Sequence, residues 1–127
     1  VLTAGTVDPW HPRALRAGMG AQFLLPLVQS PPGGLAAALA ALALYLADAA
    51  GELDHRHLDW DRPTALLVGG EAEGPSAEAL ALPHRRVRIA MVGRVESLNA
   101  ATAAGILLFA AALRRPGEEA SAPPPAR

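Results

Sequence analysis

Twice in this chain an apolar run breaks into glycine just ahead of a helix-like segment. Thr64-Ala65-Leu66-Leu67-Val68 runs into Gly69-Gly70, and Ile89-Ala90-Met91-Val92 runs into Gly93. A strand that feeds a tight loop and then a helix is the repeating unit of α/β proteins, because the helix carries the chain back so that the next strand runs parallel. The fold class that follows is α/β, a mainly parallel sheet flanked by helices. Such sheets place ligands outside the carboxyl ends of their strands, where loops meet helix starts. Gly69 to Ser76 and Met91 to Asn99 occupy such positions and are the candidate functional loops.

The remaining elements are read around these two. Val1-Leu2-Thr3 reads as the end of a strand already under way, so the chain is expected to be a fragment. Asp8-Pro9 marks a turn, and His11-Pro12 opens a short helix in which Pro12 suits the first turn. Phe23 to Val28 is expected to form a buried strand, with Pro26 at an end or edge. Leu35 to Ala50 predicts a helix buried on more than one side and stopped by Gly51. Gly51 to Pro63 is a polar connector. Ser76 to Leu82 predicts one or two helical turns with Ser76 as N-cap, and the alternation of Val87, Ile89 and Met91 predicts a strand. Ser97 to Arg115 predicts a long helix, with Arg114 and Arg115 in the last turn complementing its dipole. The expected organisation is one domain over 1–115 and a disordered Pro/Ala-rich tail over 116–127.

The 127 residues fit one domain, and apolar residues at 51% suffice for a core. Aromatics make up only 4%, so that core is expected to be Ala, Leu and Val and thin enough for a second copy to complete it. The formal charge is −1, with 11 basic residues, all Arg, against 12 acidic ones. That is not the balance of a free-standing nucleic-acid binder. Contact with RNA would have to come from local clusters, Arg13 with Arg16 or Arg85 with Arg86 and Arg88. Arg grips phosphate through a planar fork, although the same residues read equally as solvated charges. The absence of Cys excludes disulfides, thiolate zinc sites and thiol catalysis. Leu35 to Ala47 falls short of the roughly 20 residues a membrane span needs. It also lies inside the chain without a charged leader, so no membrane anchor or signal peptide is expected and the location is read as cytoplasmic. His55 and His57 could share a strand face but lack a third ligand, so no metal is expected. Trp10 and Trp60 read as too isolated to form a base-stacking platform.

Each loop alone reads as plain architecture, with glycines for geometry and Ser97 or Asn99 as a helix cap. Together, and in this order, they resemble the SpoU-type branch of the SPOUT RNA methyltransferases. The match comprises Val68-Gly69-Gly70-Glu71…Gly74 and Ile89-Ala90-Met91…Gly93…Ser97-Leu98-Asn99, with the apolar helix from Ala100 behind it. An upstream match runs from Gly5-Thr6-Val7-Asp8-Pro9 through Pro12-Arg13-Ala14-Leu15-Arg16-Ala17-Gly18-Met19-Gly20-Ala21. The resemblance covers nearly all of the chain to about Arg115.

The resemblance implies a C-terminal deep trefoil knot whose loops hold S-adenosyl-L-methionine, homodimerisation through the knot, and methyl transfer to a ribose 2′-hydroxyl of rRNA or tRNA. By residue match, Gly69, Ile89 and Leu98 would bind the cofactor, largely through backbone groups, and Gly70, Met91 and Gly93 would shape its pocket. The two loops are expected to lie side by side. Glu71, Ser97 and Asn99 would organise the acceptor site. The family's activating Arg belongs to an Asn…Arg motif that is not found here. Three departures stand out: Gly70 replaces the usual Asn, Ala90 the usual Pro, and Gly18 a common Ser. The alternative is a non-catalytic domain that keeps the fold for dimerisation or RNA docking.

Overall fold

The computed structural model describes residues 1–70, 74–91, 93 and 97–114. The elements, in chain order, are α1 (Pro12–Ala17), α2 (Leu35–Leu39), β1 (Ala43–Ala47), β2 (Leu53–Asp54), β3 (Thr64–Leu67), α3 (Ala77–Ala81), β4 (Arg85–Arg88) and α4 (Ala100–Arg114). Short 3-10 turns lie at Ala21–Phe23 and His55–His57. They group into two compact units, one of Val1–Ala41 with Gly69–Pro83, the other of Leu42–Val68 with the described residues from His84 on.

The second unit holds a four-stranded sheet in the order β2-β4-β1-β3. Every pairing is parallel, as the strand–glycine–helix pattern requires. β1 is an inner strand that pairs Tyr45 with Leu66 on one side and with Arg85 on the other. On one face Tyr45, Trp60, Val87 and Leu107 form a buried cluster, and Ala43, Ala47, Leu53, Leu58, Leu66, Ile89 and Ala111 pack against it. Leu107 brings α4 onto this cluster. Leu44 and Leu46, pointing the other way, are also buried. An inner strand covered on both faces reads as an unbroken apolar run.

That is why the expected Leu35 to Ala50 helix is not found. Only Leu35–Leu39 is helical, and Ala43–Ala47 is a strand. A run apolar at every position carries no period with which to choose between the two states. The core also departs from expectation in composition: two aromatics, Tyr45 and Trp60, sit at its centre. Trp60 meets Tyr45 edge-on, with ring centroids 5.7 Å apart. Its indole Nε1 donates to the His55 carbonyl at 3.2 Å, which satisfies the polar end of a buried ring. His55 and His57 lie in a 3-10 turn and not on a strand.

In the first unit Leu2 and Gln29 form an isolated parallel bridge, closed by Leu2 N donating to Val28 O and Ser30 N donating to Leu2 O. The expected buried strand over Phe23 to Val28 is a second correction. Phe23 ends a 3-10 turn, and Phe23, Leu24, Leu25 and Val28 are exposed. Leu35, Leu39 and Ala79 are buried, and the Glu78 carboxylate accepts from Leu35 N at 3.0 Å. α3 begins as expected, the Ser76 hydroxyl accepting from Ala79 N. α4 begins at Ala100, three positions later than read, because Asn99 is the residue that caps it. The expected tail and the segments whose threading would make a knot include residues outside the described ones. No described helix is long and apolar enough to cross a membrane.

Candidate functional site

β3 delivers the chain to Gly69, and α3 takes it away at Ser76. Between them Gly70 and Gly74 exchange two backbone hydrogen bonds of 3.0 Å, pinching the loop closed at its base. A Cβ on Gly69 would stand 2.5 Å from the Gly74 carbonyl carbon and 2.5 Å from the Pro75 nitrogen. The first glycine is therefore demanded by the loop's own backbone. Gly70 is different: among the described residues an added Cβ there would meet only the Gly74 oxygen, at 3.9 Å. Glu71 lies outside the described residues.

β4 leads into the second loop. Ile89 packs on the core cluster and Met91 is half-buried. Gly93 has φ +86°, a conformation open to glycine but strained for L side chains. Ser97 is exposed, Leu98 half-buried. The Asn99 Oδ1 accepts from Ala101 N at 3.0 Å and Thr102 N at 3.3 Å, so this side chain serves as the N-cap of α4.

The arginines divide into two kinds. Arg86 pairs with Asp48, its Nη2 2.6 Å from Oδ2 and its Nε donating at 2.8 Å. Arg88 donates to the Gly51 carbonyl at 3.0 Å. Arg13 and Arg16 lie exposed on α1 and form no ion pair among the described residues. Arg85 is exposed as well. The Asp48 partner of Arg86 went unread in the sequence, because it lies 38 positions upstream. Elsewhere, hydrogen bonds from the Arg56 side chain and backbone hold the Asp54 carboxyl well below the usual carboxylate range. That pair belongs to the turn that positions Trp60. No group of three or more His, Cys, Asp or Glu side chains that could hold a metal ion occurs among the described residues.

A family model, the SpoU rRNA Methylase family, matches residues 1–109. The chain belongs to that family. An uncharacterized tRNA/rRNA methyltransferase of Synechocystis is 37% identical over 127 residues, covering 96% of this chain and 45% of that protein. The tRNA (guanosine(18)-2′-O)-methyltransferase of Thermus thermophilus is 47% identical over 62 residues, covering 49% of this chain and 32% of its own length. Among solved structures, the SpoU methyltransferase AviRb from Streptomyces viridochromogenes, in complex with AdoMet, superposes with a TM-score of 0.80 at 33% identity. The match covers 90% of this chain and 48% of that one. The chain thus spans less than half the length of these relatives.

Of the three departures from the SpoU pattern, the described geometry bears on two. At Gly18 an added Cβ would come within 2.5 Å of the Gln22 side chain. The Gln22 amide fills that space and donates to Ala14 O at 2.8 Å, closing α1. At Gly70 a Cβ would find space among the described residues. Nothing in the structure explains Ala90.

Proposed function

We propose that this chain is the larger part, residues 1–115, of a SpoU-type domain that transfers a methyl group from S-adenosyl-L-methionine to a ribose 2′-hydroxyl of rRNA or tRNA. The observation that carries the reading is the pair of glycine-turned loops at the carboxyl ends of the parallel strands β3 and β4, inside a family match over residues 1–109. The donor set suits an adenosyl sulfonium group. Gly69, Ile89 and Leu98 would offer backbone donors and acceptors, which read neutral polar edges without a charged side chain. Gly70, Met91 and Gly93 would shape the surrounding wall, Met91 adding a polarizable thioether. S-adenosyl-L-methionine supplies an electrophilic methyl; the protein's part is to align it with the acceptor oxygen. Glu71, Ser97 and Asn99 are the candidates for ordering that acceptor. Asn99 would act through the position of α4, since its Oδ1 is engaged in the cap.

Arg13, Arg16 and Arg85 are the better candidates for phosphate contact; Arg86 would first have to leave Asp48. Self-association is part of the proposal. α4 exposes Leu108, Phe109 and Leu113 at 60%, 66% and 71%, an apolar stripe that a second copy across the proposed knot would cover. A cytoplasmic location is proposed with it.

Calorimetric titration with S-adenosylhomocysteine tests the reading. Saturable binding at one site per chain is the expected result, and a folded sample that takes up none overturns it. Binding without methyl transfer to any rRNA or tRNA would point to the non-catalytic docking domain. Sedimentation equilibrium tests the dimer: Phe109→Glu is expected to give monomers, and a wild-type monomer at all concentrations overturns that element.

A further inference from the structure

Trp10 does not stand alone as its sequence position suggests. Its ring centroid lies 5.7 Å from that of Phe23, with the planes inclined at 50°. Both rings face water, Trp10 at 49% and Phe23 at 74% exposure. The backbone beneath Trp10 is fixed from both sides. Trp10 N donates to the Asp8 Oδ1 at 2.9 Å, and His11 caps α1 by accepting from Arg13 N at 3.2 Å. Arg13 and Arg16 follow within the first turns, three positions apart and therefore on one helix face. Asp8 is the only acidic residue in the first 41 positions. Its carboxylate is already bonded to the Trp10 amide.

We propose that Trp10, braced by Phe23, stacks a base of a single-stranded stretch of RNA while Arg13 and Arg16 take the adjoining phosphates. An exposed indole close in sequence to two guanidinium groups that form no ion pair among the described residues is what a single-stranded nucleic acid needs. Any base presents a π-face, and the phosphates follow the basic residues. A second copy of this chain is the competing occupant, and it would reveal itself by a dependence on protein concentration. The inference rests on the RNA reading above and adds a contact outside the glycine loops.

The test uses the purified protein with a short single-stranded oligoadenylate and an abasic oligoribonucleotide of equal charge. Binding is followed by anisotropy of a labelled strand. Trp10 emission is isolated as the difference between wild type and Trp10→Phe, which leaves the buried Trp60 out of the signal. Oligoadenylate is expected to quench Trp10 emission saturably. Trp10→Ala is expected to weaken its binding about 5- to 150-fold, and Trp10→Phe only a few-fold. The abasic strand should bind like the Trp10→Ala case, and Arg13→Gln with Arg16→Gln should weaken both strands alike. Equal binding of the two strands with unchanged emission overturns the stacking contact but leaves phosphate contact standing. A blue shift of Trp10 that follows protein concentration and ignores oligoadenylate overturns it in favour of a second copy. If neither strand binds while S-adenosylhomocysteine does, the RNA contact at this surface is wrong and the cofactor reading survives.

Discussion

Replacing Gly69 or Gly70 by alanine should have opposite consequences, although the two are adjacent and both are glycine in the sequence. At Gly69 the new methyl would lie 2.5 Å from two backbone atoms, Gly74 C and Pro75 N, and 2.8 Å from Pro75 Cδ. Carbon contacts settle near 3.5–4.0 Å, so the loop must open by about 1 Å. None of these atoms can swing aside as a side chain would. Opening the loop stretches the reciprocal 3.0 Å bonds between Gly70 and Gly74. Overpacking of this kind costs about 1–3 kcal/mol, and weakening one backbone hydrogen bond adds roughly 1 kcal/mol. At about 3–4 °C per kcal/mol for a chain of this length, Gly69→Ala should lower Tm by about 6–16 °C. At Gly70 the methyl meets, among the described residues, only Gly74 O at 3.9 Å. The loss of unfolded-chain freedom then dominates and stabilises by a few tenths of a kcal/mol up to about 1 kcal/mol. Thermal melts followed by circular dichroism read both. Two variants that melt within about 1 °C of each other, or Gly70→Ala as the weaker, would show that the loop base is not packed as described. Titration with S-adenosylhomocysteine then separates stability from function. Gly70→Ala stays folded, so any loss of affinity in it reports on the approach of the ligand.

Leu107 is 1% exposed at the centre of the core cluster, and Leu107→Ala should destabilise by about 2–5 kcal/mol. Urea denaturation checks this, and a loss under about 1 kcal/mol would mean that α4 does not seat on the sheet. Ser76→Ala removes the cap bond to Ala79 N and should cost about 1 kcal/mol, with Ser76→Gly milder. The Asp54 carboxyl, held low by the Arg56 side chain, binds its proton less readily folded than unfolded. It therefore favours the folded chain above the unfolded value of about 3.9, and that contribution fades as the pH falls further. Carbon NMR should find Asp54 still ionised at a pH of about 3 and titrating nearer 3.9 in Arg56→Ala. Identical titration curves would remove Arg56 as the cause.

The features legible in the sequence are those whose cause lies within a few residues. Ser76 and Asn99 cap helices because a short acceptor side chain reaches the next turn. Gly69 and Gly93 are glycine because their own loops demand it. What the sequence hid depends on distant partners. Ala43–Ala47 is a strand because Thr64–Leu67 and Arg85–Val87 flank it. Read alone it is an Ala/Leu helix, with Tyr45 the one residue that favours a strand. Trp60, set between Asp59 and Asp61, looks exposed, yet a 3-10 turn upstream delivers it to the core at 5% exposure.

The same distinction decides how far the charged residues can be trusted as site markers. Arg86 and Arg13 look alike in sequence, each an arginine within three positions of another. Their surroundings differ in where the acids fall. Asp48 and Glu52 both bond Arg86, one at its guanidinium and the other at its backbone N. The first 41 residues hold only Asp8, whose exposed carboxylate accepts from the Trp10 amide. An ion pair in place must be broken before phosphate can replace it, whereas an unpaired guanidinium already carries its full field into solvent. Among the described residues, the guanidinium groups that can meet phosphate without first leaving an ion pair therefore include Arg13 and Arg16 on α1 and Arg85 on β4, whereas Arg86 is held by Asp48.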